Sequence, residues 1–170
     1  TKIDNSAFLG CLALEKVVLH ENVTYIDAYA FSNCYLLTDI NLPDGITHIG
    51  QYAFRKCYAL EELVVPESTK TIDLNAFQEC TSLKKVTIPA GVKKIGESAF
   101  QECPLEEITI PSSVEEIGQW TFEGCKKLKK VTISRKFKDI GKIVEIFGND
   151  LPYLLTSADL DQCKGFVWTD

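Results

Sequence analysis

The 170-residue sequence contains no methionine, only two histidines, and no apolar run approaching the ~20 residues that span a bilayer. Without methionine the chain is expected to be part of a longer product, with any secretion signal or anchor upstream. Its opening, Thr1-Lys2-Ile3-Asp4, lacks the charged-then-apolar order of a signal peptide. Positive charge is also short: 18 Lys and Arg face 24 Asp and Glu, for a formal net charge of −6. Nucleic acids and anionic membranes are held mainly through clustered cations, so neither is expected as a general partner. The motifs of catalysis are missing as well: there is no Gly-rich phosphate loop, nucleophile elbow or His-Glu-x-x-His. Zinc sites draw on close Cys-x-x-Cys pairs and calcium loops on Asp-x-Asp-x-Asp-Gly, and the chain has neither. No enzyme activity, metal or cofactor is therefore expected. Glu61-Glu62, Glu106-Glu107 and Glu115-Glu116 are consecutive acids that a strand would turn to opposite faces, so they read as solvated surface.

What is present is repetition. Phe8, Phe31, Phe54, Phe77, Phe100 and Phe122 are spaced 23, 23, 23, 23 and 22 residues apart. Cys11, Cys34, Cys57, Cys80, Cys103 and Cys125 each follow their Phe by three, and Leu14, Leu37, Leu60, Leu83, Leu105 and Leu128 come next. The short step lies at Cys103-Pro104-Leu105, where one residue is missing. Ala7, Ala30, Ala53, Ala76 and Ala99 precede the Phe, with Thr121 as the exception. Such periodicity identifies a solenoid, in which one coil cannot bury its apolar side until a neighbour stacks on it.

Within a unit, Leu83-Lys84-Lys85-Val86-Thr87-Ile88-Pro89 alternates with period two, placing Val86 and Ile88 inward and Lys85 and Thr87 outward as a half-buried strand. Pro89 ends it, and Pro43, Pro66 and Pro111 end three others, because Pro removes a ladder donor. A turn and a second short extended piece follow, as in Val92-Lys93-Lys94-Ile95-Gly96, and the Ala-Phe-x-x-Cys spacing predicts one loose helical turn. The expectation is a right-handed coil with parallel strands stacked about 4.8 Å apart into a sheet along one face.

Adjacent coils would place equivalent cysteines about 4.8 Å apart, whereas a disulfide wants Cβ atoms roughly 3.5–4.5 Å apart. A row of buried thiols suits the repeat better than a disulfide framework or a metal site. Cys163 stands outside the repeats and makes the total odd. His20 takes a strand-end position that other units give to Pro, and His48 a variable site before Ile49.

Ile49-Gly50-Gln51-Tyr52-Ala53-Phe54-Arg55-Lys56-Cys57 and Ile95-Gly96-Glu97-Ser98-Ala99-Phe100-Gln101-Glu102-Cys103 closely resemble the BspA-type leucine-rich repeat, Ile-Gly-x-x-Ala-Phe-x-x-Cys-x-x-Leu-x-x-Ile-x-Ile-Pro. The resemblance covers about residues 3 to 134. Asp27 and Asp73 replace the Gly after Ile, His20 and Ser134 replace Pro, and Thr69 replaces an apolar residue. It implies a leucine-rich-repeat solenoid, mostly β with short helical turns, from a cell-surface or secreted protein of bacteria or protozoan parasites that adheres to host proteins or cells.

On that frame, residues 1–134 are six repeats, the first truncated, and 135–170 a degenerate repeat and C-terminal cap. Ile140-Gly141 opens the degenerate unit, and Leu151-Pro152-Tyr153-Leu154-Leu155 and Phe166-Val167-Trp168 supply apolar cover. The outward row Val18, Asn41, Val64, Thr87, Thr109 and Thr132, beside Lys16, Asp39, Glu62, Lys85, Glu107 and Lys130, forms the first candidate protein-binding surface. The second is aromatic: Tyr29 and Tyr52 share a row with Trp120, and Tyr35 and Tyr58 follow Cys in adjacent units. Both have a plain alternative, a solvated sheet face and Tyr rings packed on their neighbours. Asn22-Val23-Thr24 is a glycosylation sequon for a eukaryotic secretory setting. Lys126, Lys127, Lys129, Lys130, Arg135, Lys136, Lys138 and Lys142 make the C-terminal end basic, as a solvated face or, alternatively, for an acidic partner or a head-to-tail contact between chains. The expected function is protein binding or adhesion by a monomer, to a ligand such as a host extracellular-matrix or cell-surface protein, without membrane insertion. The alternative is a passive spacer between an anchor and another domain.

Overall fold

The computed structural model describes residues 1–148, 161, 163 and 165–170. Each unit lays down one two-residue and one longer strand, because Pro or a turn cuts every extended run short. In chain order they are β1 (Lys2–Ile3), β2 (Lys16–Val18), β3 (Tyr25–Ile26), β4 (Asp39–Asn41), β5 (His48–Ile49), β6 (Glu62–Val64), β7 (Thr71–Ile72), β8 (Lys85–Thr87), β9 (Lys94–Ile95), β10 (Glu107–Thr109), β11 (Glu116–Ile117) and β12 (Lys130–Ser134). Helix α1 (Ile140–Phe147) and strand β13 (Phe166–Thr169) follow.

The expected parallel-sheet solenoid is present, but the continuous sheet is built from the shorter pieces. Strands β1, β3, β5, β7, β9 and β11 form one six-stranded parallel sheet in that order. The longer strands, expected to make the sheet, divide into β2–β4, β6–β8 and β10–β12–β13. The break between β8 and β10 follows the unit that is one residue short at Cys103-Pro104-Leu105. The break between β4 and β6 falls where Asp39 and Glu62 would face each other as like charges, which destabilise a cross-strand pair. The ladders that form pair Lys16 with Asp39, Glu62 with Lys85 and Glu107 with Lys130.

The Ala-Phe-x-x-Cys stretch is a run of tight turns rather than a helical one. Alternate amides bond within the turn, Ala53 to Gly50 O and Arg55 to Tyr52 O, while those between them donate to the next coil, Tyr52 to Leu74 O and Phe54 to Ala76 O. This alternation requires two left-handed residues per unit. One set is Ser6, Tyr29, Tyr52, Asn75, Ser98 and Trp120 at φ 52 to 58°, and the other is Gly10, Asn33, Lys56, Glu79, Glu102 and Gly124 at φ 60 to 73°. The backbone thereby aims half its donors along the solenoid axis.

Inside, the Phe side chains form one column. Phe8, Phe31, Phe54, Phe77, Phe100, Phe122 and Phe147 stack with centroids 5.1 to 5.6 Å apart. Phe31, Phe54, Phe77 and Phe100 are buried, as is the Ala before each. Where polar residues replace apolar ones, the coil satisfies them: Thr121 Oγ1 lies 2.7 Å from Gly118 O, and Thr69 Oγ1 donates to Ile46 O at 3.0 Å. Close packing of coils also explains the Gly after Ile, since a Cβ at Gly118 would fall 2.3 Å from Glu97 N.

Beside the Phe column runs the Cys row, and the two are bonded. Cys34 Sγ donates to Phe8 O at 3.1 Å, and Cys57, Cys80, Cys103 and Cys125 repeat the contact to Phe31, Phe54, Phe77 and Phe100 at 3.1 to 3.3 Å. The same carbonyl accepts the Cys amide of its own unit, as Cys57 N to Phe54 O. No disulfide joins the described cysteines. Burial pushes the Cys34 thiol up to about 11 and Cys125 up to about 12, and raises Cys57 and Cys103 well above the ordinary range.

A third axial chain is polar. Arg55 Nε donates to Gln78 Oε1 at 2.9 Å, Gln78 Nε2 to Gln101 Oε1 and Gln101 Nε2 to Glu123 Oε2, both at 2.6 Å. It starts at a cation and ends at an anion, so every amide dipole along it points the same way.

After Ser134 the pattern changes but the packing continues. Phe147, carried by α1, takes the seventh place in the Phe column, and Trp120 N and Phe122 N donate to Glu145 O and Ile146 O as earlier units donate to the next coil. The Asp139 side chain caps α1 by accepting from Lys142 N. Strand β13 pairs in parallel with β12, aligning Val131 with Phe166 and Ile133 with Trp168. The apolar segment Leu151-Pro152-Tyr153-Leu154-Leu155 lies outside the described residues.

Because alkylation needs an accessible thiol, iodoacetamide at pH 8 is expected to modify Cys11, the half-buried member, well before the buried Cys34, Cys57, Cys80, Cys103 and Cys125. Cys80→Ala, which removes a donor from the Phe54 carbonyl, is expected to cost about 1–2 kcal/mol in denaturant unfolding, with Cys11→Ala nearly neutral. Equal labelling of all repeat cysteines in the native state would contradict the buried row.

Candidate binding surface

The longer strands present the row read from the sequence. Val18, Asn41, Val64, Thr87 and Thr109 are exposed, while Thr132 is half-buried beside β13, whose Val167 extends the row. Val18 and Val64 stand 75% and 70% exposed, far more than an apolar side chain with a packing role. Asn41 is otherwise engaged: its Oδ1 accepts Leu19 N at 2.7 Å and its Nδ2 donates to Leu19 O at 3.2 Å, clamping the first coil to the second. The neighbouring charged rows compensate internally through Lys16–Asp39 at 2.6 Å, Lys84–Glu61 at 3.2 Å and Lys129–Glu106 at 3.3 Å.

Both breaks in the longer-strand sheet open into grooves. Between β4 and β6 lies a groove of about 330 Å³ bordered by Asn41, Leu42, Asp44, Glu62, Val64 and Pro66. Between β8 and β10 lies one of about 320 Å³, bordered by Lys85, Thr87, Glu107, Thr109 and Lys130. A shallow groove of about 480 Å³ runs between Glu62, Lys84, Lys85, Glu106, Glu107, Lys129 and Lys130.

The aromatic candidates pair off along the axis. Tyr29 stacks on Tyr52 at 4.8 Å and Tyr35 on Tyr58 at 4.9 Å. The two pairs occupy different rows, and Trp120 is cut off from Tyr52 by the buried Asn75 and Ser98. The arrangement matches rings packed on their neighbours. A third pair escaped sequence reasoning: Tyr25 stacks on His48 at 4.4 Å, in register on β3 and β5. The signal was available in the repeat spacing of 23 residues that separates them.

His48 is more than a variable surface residue. Its Nε2 lies 3.6 Å from Asp73 Oδ2, and Asp73 and Asp27 both stand where the repeat has Gly. Each Asp also accepts the following amide, Asp27 Oδ1 from Ala28 N at 2.8 Å and Asp73 Oδ1 from Leu74 N at 3.0 Å. Burial lowers the His48 pKa below its ordinary value, outweighing the opposing pull of Asp73 and Asp27. Among the described residues no group of three or more His, Cys, Asp or Glu is arranged to hold a metal, and no helix is long and apolar enough to cross a membrane.

A stacked parallel solenoid of short strands, with one Phe and one Cys per coil, defines a leucine-rich-repeat protein. The chain belongs to the BspA type of leucine-rich repeat: that family matches residues 1–129 in six copies. It is similar to a leucine-rich repeat protein of T. pallidum, with 34% identity, 80% of this chain and 68% of that one covered, and a TM-score of 0.75. A leucine-rich cell surface protein of Faecalibacterium prausnitzii is 28% identical, with 77% of this chain and 42% of that one covered, at a TM-score of 0.60. A leucine-rich repeat protein of Eubacterium ventriosum is 29% identical over 70% of this chain and 32% of that one, at 0.63. The chain thus spans less than half the length of the latter two. No curated protein matches it.

Since the folded pKa of His48 is depressed, its contribution to stability is complete above the unfolded value of about 6.5 and is lost as pH falls below it toward the folded value. Thermal unfolding of the parent is expected to show a decline between pH 7 and 5 that His48→Phe flattens. A parent that gains stability on acidification through this window would contradict the burial assignment.

Proposed function

We propose that this chain is a non-catalytic protein-binding module of the adhesion type, from a cell-surface or secreted leucine-rich-repeat protein, and that it engages its ligand through the longer-strand face. The observation that carries the reading is the exposure of Val18 and Val64 on a rigid frame that has no core use for them. Isolated exposed apolar residues are ordinary. Here they lie in one row with Thr87 and Thr109 beside grooves that the broken ladder leaves open. A solenoid offers such a row without folding cost at the moment of binding, because its strands are already fixed by stacking. The F. prausnitzii relative, described as a cell surface protein, supports the location. The ligand we expect is a protein, such as a host extracellular-matrix or cell-surface protein, bound by a monomer. Residues 135–170 act in this reading as the C-terminal cap: Phe147 closes the Phe column and β13 covers the edge of β12.

A passive spacer is the second reading, favoured by the internally satisfied ion pairs and stacked tyrosines that leave much of the surface without unmet groups.

Capture of extracellular-matrix proteins and solubilised host-cell surface proteins by the immobilised fragment distinguishes the two. Specific capture is expected, reduced at least about tenfold, or ~1.4 kcal/mol, by the quadruple change Val18→Glu, Val64→Glu, Thr87→Glu and Thr109→Glu. Capture that survives in this variant moves the site off the strand face, and no capture by the folded parent favours the spacer.

A further inference from the structure

We propose that the groove between β4 and β6 is a slot for a basic side chain, Arg or Lys, presented by an extended segment of a protein partner. The inference rests on the strand-face reading above and adds the chemistry of the ligand.

The slot exists because the ladder fails there. Strands β4 and β6 belong to separate sheets, so their facing edges lack the partners that every coil supplies on the six-stranded side. Open strand edges are sites where polar groups of another chain find partners. The walls combine two characters. Leu42, Val64 and Pro66 give apolar surface, and Asp44 and Glu62 bring carboxylates to the rim. Arg and Lys match this pairing, since their aliphatic stems lie along apolar surface while their charged heads reach polar partners. A guanidinium adds a fork of donors that fits carboxylates.

Charge balance separates this slot from its neighbours. The groove between β8 and β10 sets Lys85 and Lys130 around Glu107, and the shallow groove alternates Lys and Glu throughout. Beside the β4–β6 slot the acids are less compensated. Asp44 has no ion pair among the described residues, and Glu62 has only Lys85, at 4.0 Å. Asp39, the third acid nearby, is taken by Lys16 at 2.6 Å. An acidic side chain would add to the negative charge of Asp44 and Glu62, and an apolar one would leave Asp44 without an ion pair, whereas a cation brings the positive charge that this rim has little of. Glu62, one of the two acids at the break in the ladder, thus also stands at the rim of the slot. Val64, 70% exposed at the slot's border, gives the residue next to the cation an apolar rest.

The test is a ¹⁵N-resolved NMR titration of the whole 170-residue chain with two probes: an acetylated, amidated peptide alternating Arg and Thr, and its counterpart alternating Glu and Thr. The Arg probe is expected to shift amides clustered in residues 40–44 and 62–65, and the Glu probe to leave them in place. Asp44→Asn with Glu62→Gln, which preserves shape, is expected to weaken the Arg probe about tenfold, whereas Glu106→Gln with Glu107→Gln leaves it unchanged. A circular-dichroism melt confirms that both variants fold. Shifts spread evenly over the acidic surface, equal response to both probes, or undiminished binding by the Asp44/Glu62 variant would each overturn the slot. The strand-face reading is judged separately with the capture substitutions that lie outside the slot, Val18→Glu, Thr87→Glu and Thr109→Glu, which leave both acids and Val64 intact. Capture lost with those variants and kept with Asp44→Asn/Glu62→Gln would retain the face and discard the slot.

Discussion

The rest of the structure depends on the junction at which one coil's Phe meets the next coil's Cys. The ring stacks on its counterpart, the amide donates to the carbonyl of the next coil's Ala, and the carbonyl accepts a hydrogen bond from the thiol of the following unit. A single coil has no partner for any of these groups, so folding one means folding its neighbours. The surface inherits its regularity from this junction: once the Phe column fixes the pitch, every outward row repeats along the axis. Ion pairs between coils and stacked tyrosines are consequences of that pitch rather than its cause, since exposed pairs of this kind contribute little on their own.

Rigidity of this origin serves recognition. The turns hold two left-handed residues per unit and aim backbone donors along the axis, which leaves the longer strands free to vary. Variation appears there as two breaks in the ladder, one at the unit that is a residue short and one where the outward acids Asp39 and Glu62 follow each other on successive coils. A face that is fixed by its interior yet open at defined points can carry specificity without disturbing the fold, and the grooves at those points are where its chemistry departs most from repetition.

Much of this was legible in the sequence. The Phe and Cys spacing pointed to the coil, and the period-two alternation of its strands to the burial of Val86 and Ile88 and the outward direction of Val18 and Val64. The split of the longer-strand sheet was harder to read, because it depends on which outward charges become neighbours; Asp39 and Glu62 are ordinary acids until their coils are stacked. The role of α1 was hidden for another reason. Ile143-Val144-Glu145-Ile146-Phe147 breaks the repeat in sequence, yet a helix delivers Phe147 to the next place in the column. Asn41 looked like an exposed polar contact, and only the structure shows its amide holding the Leu19 backbone. The Tyr25–His48 pair and its two Asp neighbours, Asp27 and Asp73, were scattered departures from the consensus that stacking turns into one cluster.

Coupling through the Phe–Cys junction is tested most directly by native-state hydrogen exchange at the amides that bridge coils. Phe54 and Phe77, with coils on both sides, are predicted to exchange most slowly and in step with global unfolding, and Phe8, at the half-covered first coil, much faster. Uniform exchange at Phe8, Phe54 and Phe77, or faster exchange in the middle of the column than at its first ring, would contradict the account.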